Sequence, residues 1–89
     1  MSIKPATIVD VRTAEEFDAG HVPGSVHIPL NEVPQRLDEL RAMAKPLVLC
    51  CASGGRSGQA TQYLLQRGLT DVHNGGPWQD VLLTISTTS

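Results

Sequence analysis

The chain has 89 residues, 40% of them hydrophobic, with a net charge of −2 and two cysteines. That length holds one small core and no second domain, so residues 1–89 are expected to form a single unit. No Lys/Arg cluster and no interleaving of aromatic with basic residues occurs, which argues against a nucleic-acid surface.

The elements, in chain order, alternate between β and α. Ala6 to Val11 is a short apolar, β-branched run that predicts a strand. Thr13-Ala14-Glu15-Glu16 is a capping-box pattern opening a short helix that stops at Gly20. His21 to Pro29, with two prolines and a glycine, predicts an extended loop. Asn31 can cap a helix whose apolar positions Val33, Leu37, Leu40 and Met43 recur at helical spacing, ended by Pro46. Leu47 to Cys50 is the apolar run of a buried parallel strand. A helix from about Ser57 to Arg67 follows, closed by Gly68, with Ala60 and Leu64 inward. Asp71-Val72-His73 predicts a weak last strand. Trp78 to Leu83 predicts a terminal helix after the Gly75-Gly76-Pro77 turn, with residues 1–5 and 84–89 as frayed ends. Strands separated by such helices imply an α/β fold: a small parallel sheet with helices on both faces.

The segment Leu47-Val48-Leu49-Cys50-Cys51-Ala52-Ser53-Gly54-Gly55-Arg56-Ser57 carries the chemistry. A strand that ends at a thiol, a turn of small residues and a helix start would aim backbone amides and a guanidinium at one sulfur. Such surroundings lower a cysteine pKa and make the thiolate nucleophile available. Cys51 is therefore the candidate nucleophile. Arg56, a cation in the first helical turn, implies a specific anionic partner. Gly54 and Gly55 allow left-handed backbone, and Ser57 reads as an N-cap. Cys50 alternates to the opposite face and fills the core. The adjacent cysteines cannot form an ordinary structural disulfide, which points to thiol chemistry in a reducing compartment.

Cys51 to Ser57 reads C-x-x-G-x-R-S and resembles the loop of the rhodanese family of sulfurtransferases; in cysteine-type phosphatases the arginine stands one residue further on, in a wider loop. Ile8-Val9-Asp10-Val11-Arg12 with Glu16-Phe17 resembles that family's D-V-R-x-x-x-E-F segment. Gly20-His21-Val22-Pro23-Gly24-Ser25-Val26-His27-Ile28-Pro29 resembles its G-H-I-x-G-A-x-N-I-P segment, and Asn74-Gly75-Gly76-Pro77-Trp78 its G-G-x-x-x-W region, with the tryptophan early. The resemblance implies a rhodanese-like fold, here minimal or trimmed at both ends, which leaves one sheet edge less covered and admits a monomer or a weak homodimer. It also implies sulfur relay through a persulfide on Cys51, from a donor such as thiosulfate to cyanide or a thiol. Arg56 and the loop residues Ala52, Ser53, Gly54, Gly55 and Ser57 would bind the substrate. A protein thiol or a cysteine desulfurase is also admitted as partner, and no cofactor is implied.

Other readings stand beside this one. A non-catalytic persulfide carrier would use the same loop, and a phosphatase or arsenate reductase ranks third because the loop is tighter. Asp10 and Arg12 could form a functional pair beside the cradle, but the resemblance implies a mainly architectural role; His21 could be a general base, but its Gly and Pro neighbours favour a loop-fixing hydrogen-bond donor. Neither His27 nor His73 has a partner at metal-ligand spacing, so no metal site is expected. The longest nearly apolar run, Pro46 to Ala52, is far too short to cross a bilayer, and Met1–Pro5 lacks the apolar stretch of a secretory signal. A cytoplasmic location without a membrane partner is expected.

Overall fold

The structure is a computed structural model that describes residues 5–87. Strand β1 (Thr7–Asp10) leads into helix α1 (Ala14–Ala19), a two-residue strand β2 (Val26–His27), a single 3-10 turn (Leu30–Glu32) and helix α2 (Leu37–Ala42). Strand β3 (Leu47–Cys51), helix α3 (Gly55–Gln66), strand β4 (Val72–Pro77) and helix α4 (Trp78–Thr87) complete the order. All pairings are parallel and the sheet order is β2-β1-β3-β4. The α/β reading with one parallel sheet holds.

The two-residue period of β3 decides the layering. Leu47, Leu49 and Cys51 face one core with Val9, Val11, Leu40, Ala60 and Leu64, beneath α2 and α3. Val48 and Cys50 face the other, with Val22, Val81 and the inner side of α4. Every residue of β3 is buried, as a central parallel strand covered on both faces requires. Burial of each such Leu or Val contributes about 1.5–3 kcal/mol, so both helical layers are needed to hold the sheet.

The chain departs from expectation in four places. Val26 and His27, expected in a loop, pair with Val9 and Asp10 as a short edge strand. Asn31 caps no α-helix: it lies in the 3-10 turn, and α2 begins only at Leu37. Pro34 has no N–H to return to the Leu30 carbonyl, which instead accepts from Val33 at 3.2 Å, so the segment advances by tight turns until the proline is passed. The predicted apolar positions still face inward, with Val33 and Leu40 buried and Leu37 and Met43 packed against them. β4 runs to Pro77, well past His73, and α4 continues to Thr87 rather than fraying after Leu83. Residues 1–4 and 88–89 of the expected frayed ends lie outside the described residues.

A register shift in β4 has a direct bearing on the site. Leu49 pairs with Asn74 but Cys50 pairs with Gly76, which leaves Gly75 as the extra residue of a bulge. A Cβ on Gly75 would lie 2.7 Å from both Val48 Cγ1 on β3 and Val81 Cγ2 on α4, so only glycine fits at this point of β4. The bulge turns Asn74 and Gly76 toward the loop that follows β3.

Candidate active site

Consecutive strands depart in opposite directions from β1 and β3, so the loops at their carboxyl ends part and leave a crevice, the usual place for chemistry in an open parallel sheet. Cys51 is the last residue of β3 and is fully buried. Residues Ala52 to Gly54 turn the chain back over it, and Gly54 makes the turn in a left-handed conformation, φ 98°. A Cβ on Gly54 would stand 3.3 Å from Gly76 Cα, so the loop and β4 meet backbone to backbone. Gly55 does not share the left-handed geometry; it is the first residue of α3. The helix thus starts earlier than Ser57, and Ser57 is no N-cap but a buried residue of the first turn.

The position of Ser57 gives it another role. Cys51 Sγ accepts from the Gly54 amide at 3.0 Å and the Ser57 amide at 3.4 Å, and lies 3.3 Å from Ser57 Oγ. Burial pushes the Cys51 thiol up, but the Ser57 hydroxyl and the amides of Ser57, Ser53 and Gly54 outweigh it, and the net shift is below the ordinary cysteine value. Cys50, on the opposite face, has no such donors; burial first, then the Asp10 carboxylate, pushes its thiol up to about 12. Two adjacent cysteines are separated in reactivity by the pleat of one strand. Both are free.

Asn74, which sequence reasoning did not single out, completes the cradle. Ser57 Oγ donates to Asn74 Oδ1 at 2.6 Å, Asn74 Nδ2 donates to the Gly54 carbonyl at 3.2 Å, and the Gly76 amide donates to Asn74 Oδ1 at 3.0 Å. A hydroxyl has one proton, so Ser57 can donate to Asn74 while it accepts from a Cys51 thiol, or donate to a Cys51 thiolate; Asn74 Oδ1 keeps the Gly76 donor in either case. The only hint in the sequence was the place of Asn74 beside two glycines. Replacement of Ser57 by alanine removes a hydrogen bond to a charged acceptor, so Cys51 is expected to titrate at higher pH than in wild type. The ultraviolet absorbance of the thiolate against pH measures this, with Cys50 silent over the same range; an unmoved inflection would remove Ser57 from the stabilising set.

The structure turns Arg56 to a protein partner. Its Nη1 and Nη2 donate to Glu16 Oε1 and Oε2 at 2.7 and 2.9 Å, a bidentate pair across the crevice. Glu16 is the third helical residue of the capping box that opens α1, and Thr13 donates to it from both amide and hydroxyl at 3.1 Å. The anionic partner expected of Arg56 is thus present within the chain. Ala52, Ser53 and Gly55 form the rim and give the loop its shape. Next to Arg56 opens a cavity of about 470 Å³, walled by Val11, Leu30, Val33, Ala60 and Tyr63.

Asp10 and Arg12 form a buried ion pair. Asp10 is fully buried and accepts from Arg12 Nε and Nη2 at 3.0 and 2.8 Å, and Arg12 also donates to the Gly20 carbonyl at 2.6 Å. His21 bonds the Phe17 carbonyl at 2.7 Å and stacks on the Phe17 ring, fixing its loop. Among the described residues no three His, Cys, Asp or Glu side chains could hold a metal ion, and no helix is long and apolar enough to cross a membrane.

Comparisons with known proteins agree with this geometry. The chain is 41% identical over 71 residues to the uncharacterized protein YqhL of Bacillus subtilis (strain 168), covering 80% of this chain and 56% of that one, so it spans about half of that relative's length. It is 36% identical to the thiosulfate sulfurtransferase PspE of Escherichia coli (strain K12), over 84% of this chain and 73% of the relative. A solved structure of a rhodanese with anions from E. coli matches with a TM-score of 0.73 at 34% identity, covering 83% of this chain and 88% of that one. The family model described as Rhodanese-like domain matches residues 1–76, and the chain therefore belongs to the rhodanese-like domain family.

Proposed function

We propose that the protein is a sulfurtransferase that carries sulfane sulfur on Cys51. The observation that carries this reading is the cradle itself: a fully buried thiol at a strand end, held by the Gly54 and Ser57 amides and the Ser57 hydroxyl. The Cys51 thiolate attacks the outer sulfur of thiosulfate. The sulfur–sulfur bond of the donor breaks, sulfite departs with the electron pair, and Cys51 is left as a persulfide. Cyanide or a thiol then attacks the outer sulfur of that persulfide, thiocyanate or a new persulfide departs, and the Cys51 thiolate is restored. This is ping-pong covalent catalysis. The amides that hold the resting thiolate also hold the charge that returns to sulfur in each step. Arg56 stands at the mouth as the loop's cation, paired with Glu16.

The reactants are small sulfur donors and acceptors or a protein thiol, without nucleic acid, membrane or cofactor. The protein acts in the reducing cytoplasm as a monomer or weak homodimer. Thiocyanate release from thiosulfate and cyanide tests the reading by steady-state kinetics. Turnover is expected, with a rate that rises with pH as Cys51 ionises, below the ordinary cysteine range. Folded protein that forms no thiocyanate but is loaded with sulfur by a cysteine desulfurase would make it a carrier. Hydrolysis of an aryl phosphate without thiocyanate release would contradict sulfur transfer outright.

A further inference from the structure

The loop Ala52–Ser57 has a single cation, Arg56, and both of its outer nitrogens face the Glu16 carboxylate. Fork-to-fork pairing of this kind occupies the Nη1–Nη2 edge of Arg56 and balances its charge, leaving an incoming anion only the Nε side of a guanidinium already paired. Glu16 is the anchored partner. Two bonds from Thr13 and a place in the first turn of α1 fix its carboxylate, and to swing away it would have to break the capping box. Arg56 is the movable partner: the two side chains are about equally exposed, at 36% and 35%, but only Glu16 is held by Thr13. A donor that needs the guanidinium must share it with a carboxylate already in place. The charge balance acts in the same direction: a Cys51 thiolate and Glu16 bring two negative charges to the crevice against the one positive charge of Arg56, while Asp10 and Arg12 neutralise each other beneath it.

We propose that Glu16 determines donor specificity: by holding Arg56 it disfavours the thiosulfate dianion and selects sulfane donors of lower charge, the monoanionic thiosulfonates and persulfides. This inference rests on the sulfur-transfer reading. With an alkyl thiosulfonate the same step balances, since the Cys51 thiolate takes the outer sulfur and the sulfinate leaves with the electron pair; only the donor's charge differs from thiosulfate. The pair persists across the working pH range, because the bonds from Arg56 and then Thr13 lower the Glu16 carboxyl to about 2.

The test compares kcat/KM for thiosulfate and for methanethiosulfonate in wild type, Glu16→Gln, Arg56→Ala and the double variant. Glu16→Gln is expected to raise the thiosulfate-to-methanethiosulfonate ratio by about three- to fivefold, through KM rather than kcat, since an exposed ion pair is worth at most about 1 kcal/mol. The gain should vanish when Arg56 is alanine. A purely structural role of Glu16 would move both donors alike, and an unchanged ratio, or an equal gain without Arg56, overturns the proposal. Should Glu16→Gln fail to fold, Arg56→Ala alone decides: a ratio near wild type supports the proposal. A fall of about tenfold, the size of a lost charged hydrogen bond, would mean that Arg56 already serves the dianion with Glu16 in place. If wild type turns over neither donor, the sulfur-transfer reading fails, and binding of sulfate followed by the amide shifts of Gly54 and Ser57 still tests the pair. Tighter sulfate binding by Glu16→Gln than by wild type is expected, and equal binding overturns it.

Discussion

Cys51→Ser is expected to abolish thiocyanate formation, a loss on the order of 10⁴-fold or more, as removal of a covalent nucleophile does. Cys50→Ser is expected to retain most of it. The two residues are adjacent and both fully buried, so neither burial nor position in the chain separates them. The separation comes from the pleat. Cys51 points to the face where the loop returns and finds the Gly54 and Ser57 amides, whereas Cys50 points to the face under α4 and packs with Val22, Val48 and Val81. A thiol pushed up to about 12 has a negligible thiolate fraction at neutral pH and cannot act as a nucleophile there. Steady-state assays of both variants, with circular dichroism to establish folding, check this. Comparable activity in the two would remove Cys51 as sole nucleophile.

Arg12→Ala is expected to cost about 3–5 kcal/mol of stability, the loss typical of a buried ion pair deprived of one partner. Asp10 is fully buried, and among the described residues every side-chain donor to its carboxylate comes from Arg12. The arginine also holds the Gly20 carbonyl and lies over the Trp78 ring at 5.0 Å, so its removal loosens β1, the end of α1 and the start of α4 together. Small domains have about 5–15 kcal/mol in total, so a large share of the folded population's margin is at stake. Arg12→Lys should cost less, because it keeps the charge while it loses the fork. Urea denaturation measures both. A change below about 1 kcal/mol in Arg12→Ala would show that water or another group takes over Asp10.

Local chemistry was the legible part of this chain. The capping box at Thr13 and Glu16, the buried run of β3 and the turn of small residues after Cys51 are written in neighbouring residues, and each appears in the structure. Ala60 and Leu64 face the core as their spacing suggested. What could not be read depends on partners far along the chain. Glu16 looked complete as a capping residue, and nothing local says that it also receives Arg56, 40 residues later. Asn74 reaches Ser57 only because the bulge at Gly75 shifts the register of β4. The helix expected from Asn31 was a misreading of a different kind: its periodicity is real, but the missing amide of Pro34 outweighs it. Ser57 likewise has the composition of a cap, yet Gly54 supplies the turn and frees the serine to serve the sulfur.

The central claim is that Cys51 carries sulfur, and intact mass before and after cyanide tests it most directly. Wild-type protein incubated with thiosulfate is expected to gain the mass of one sulfur atom, and to lose it on addition of cyanide as thiocyanate appears, while Cys51→Ser gains nothing. Folded wild type that gains no sulfur, or a Cys51→Ser protein that gains as much as wild type, would contradict the account.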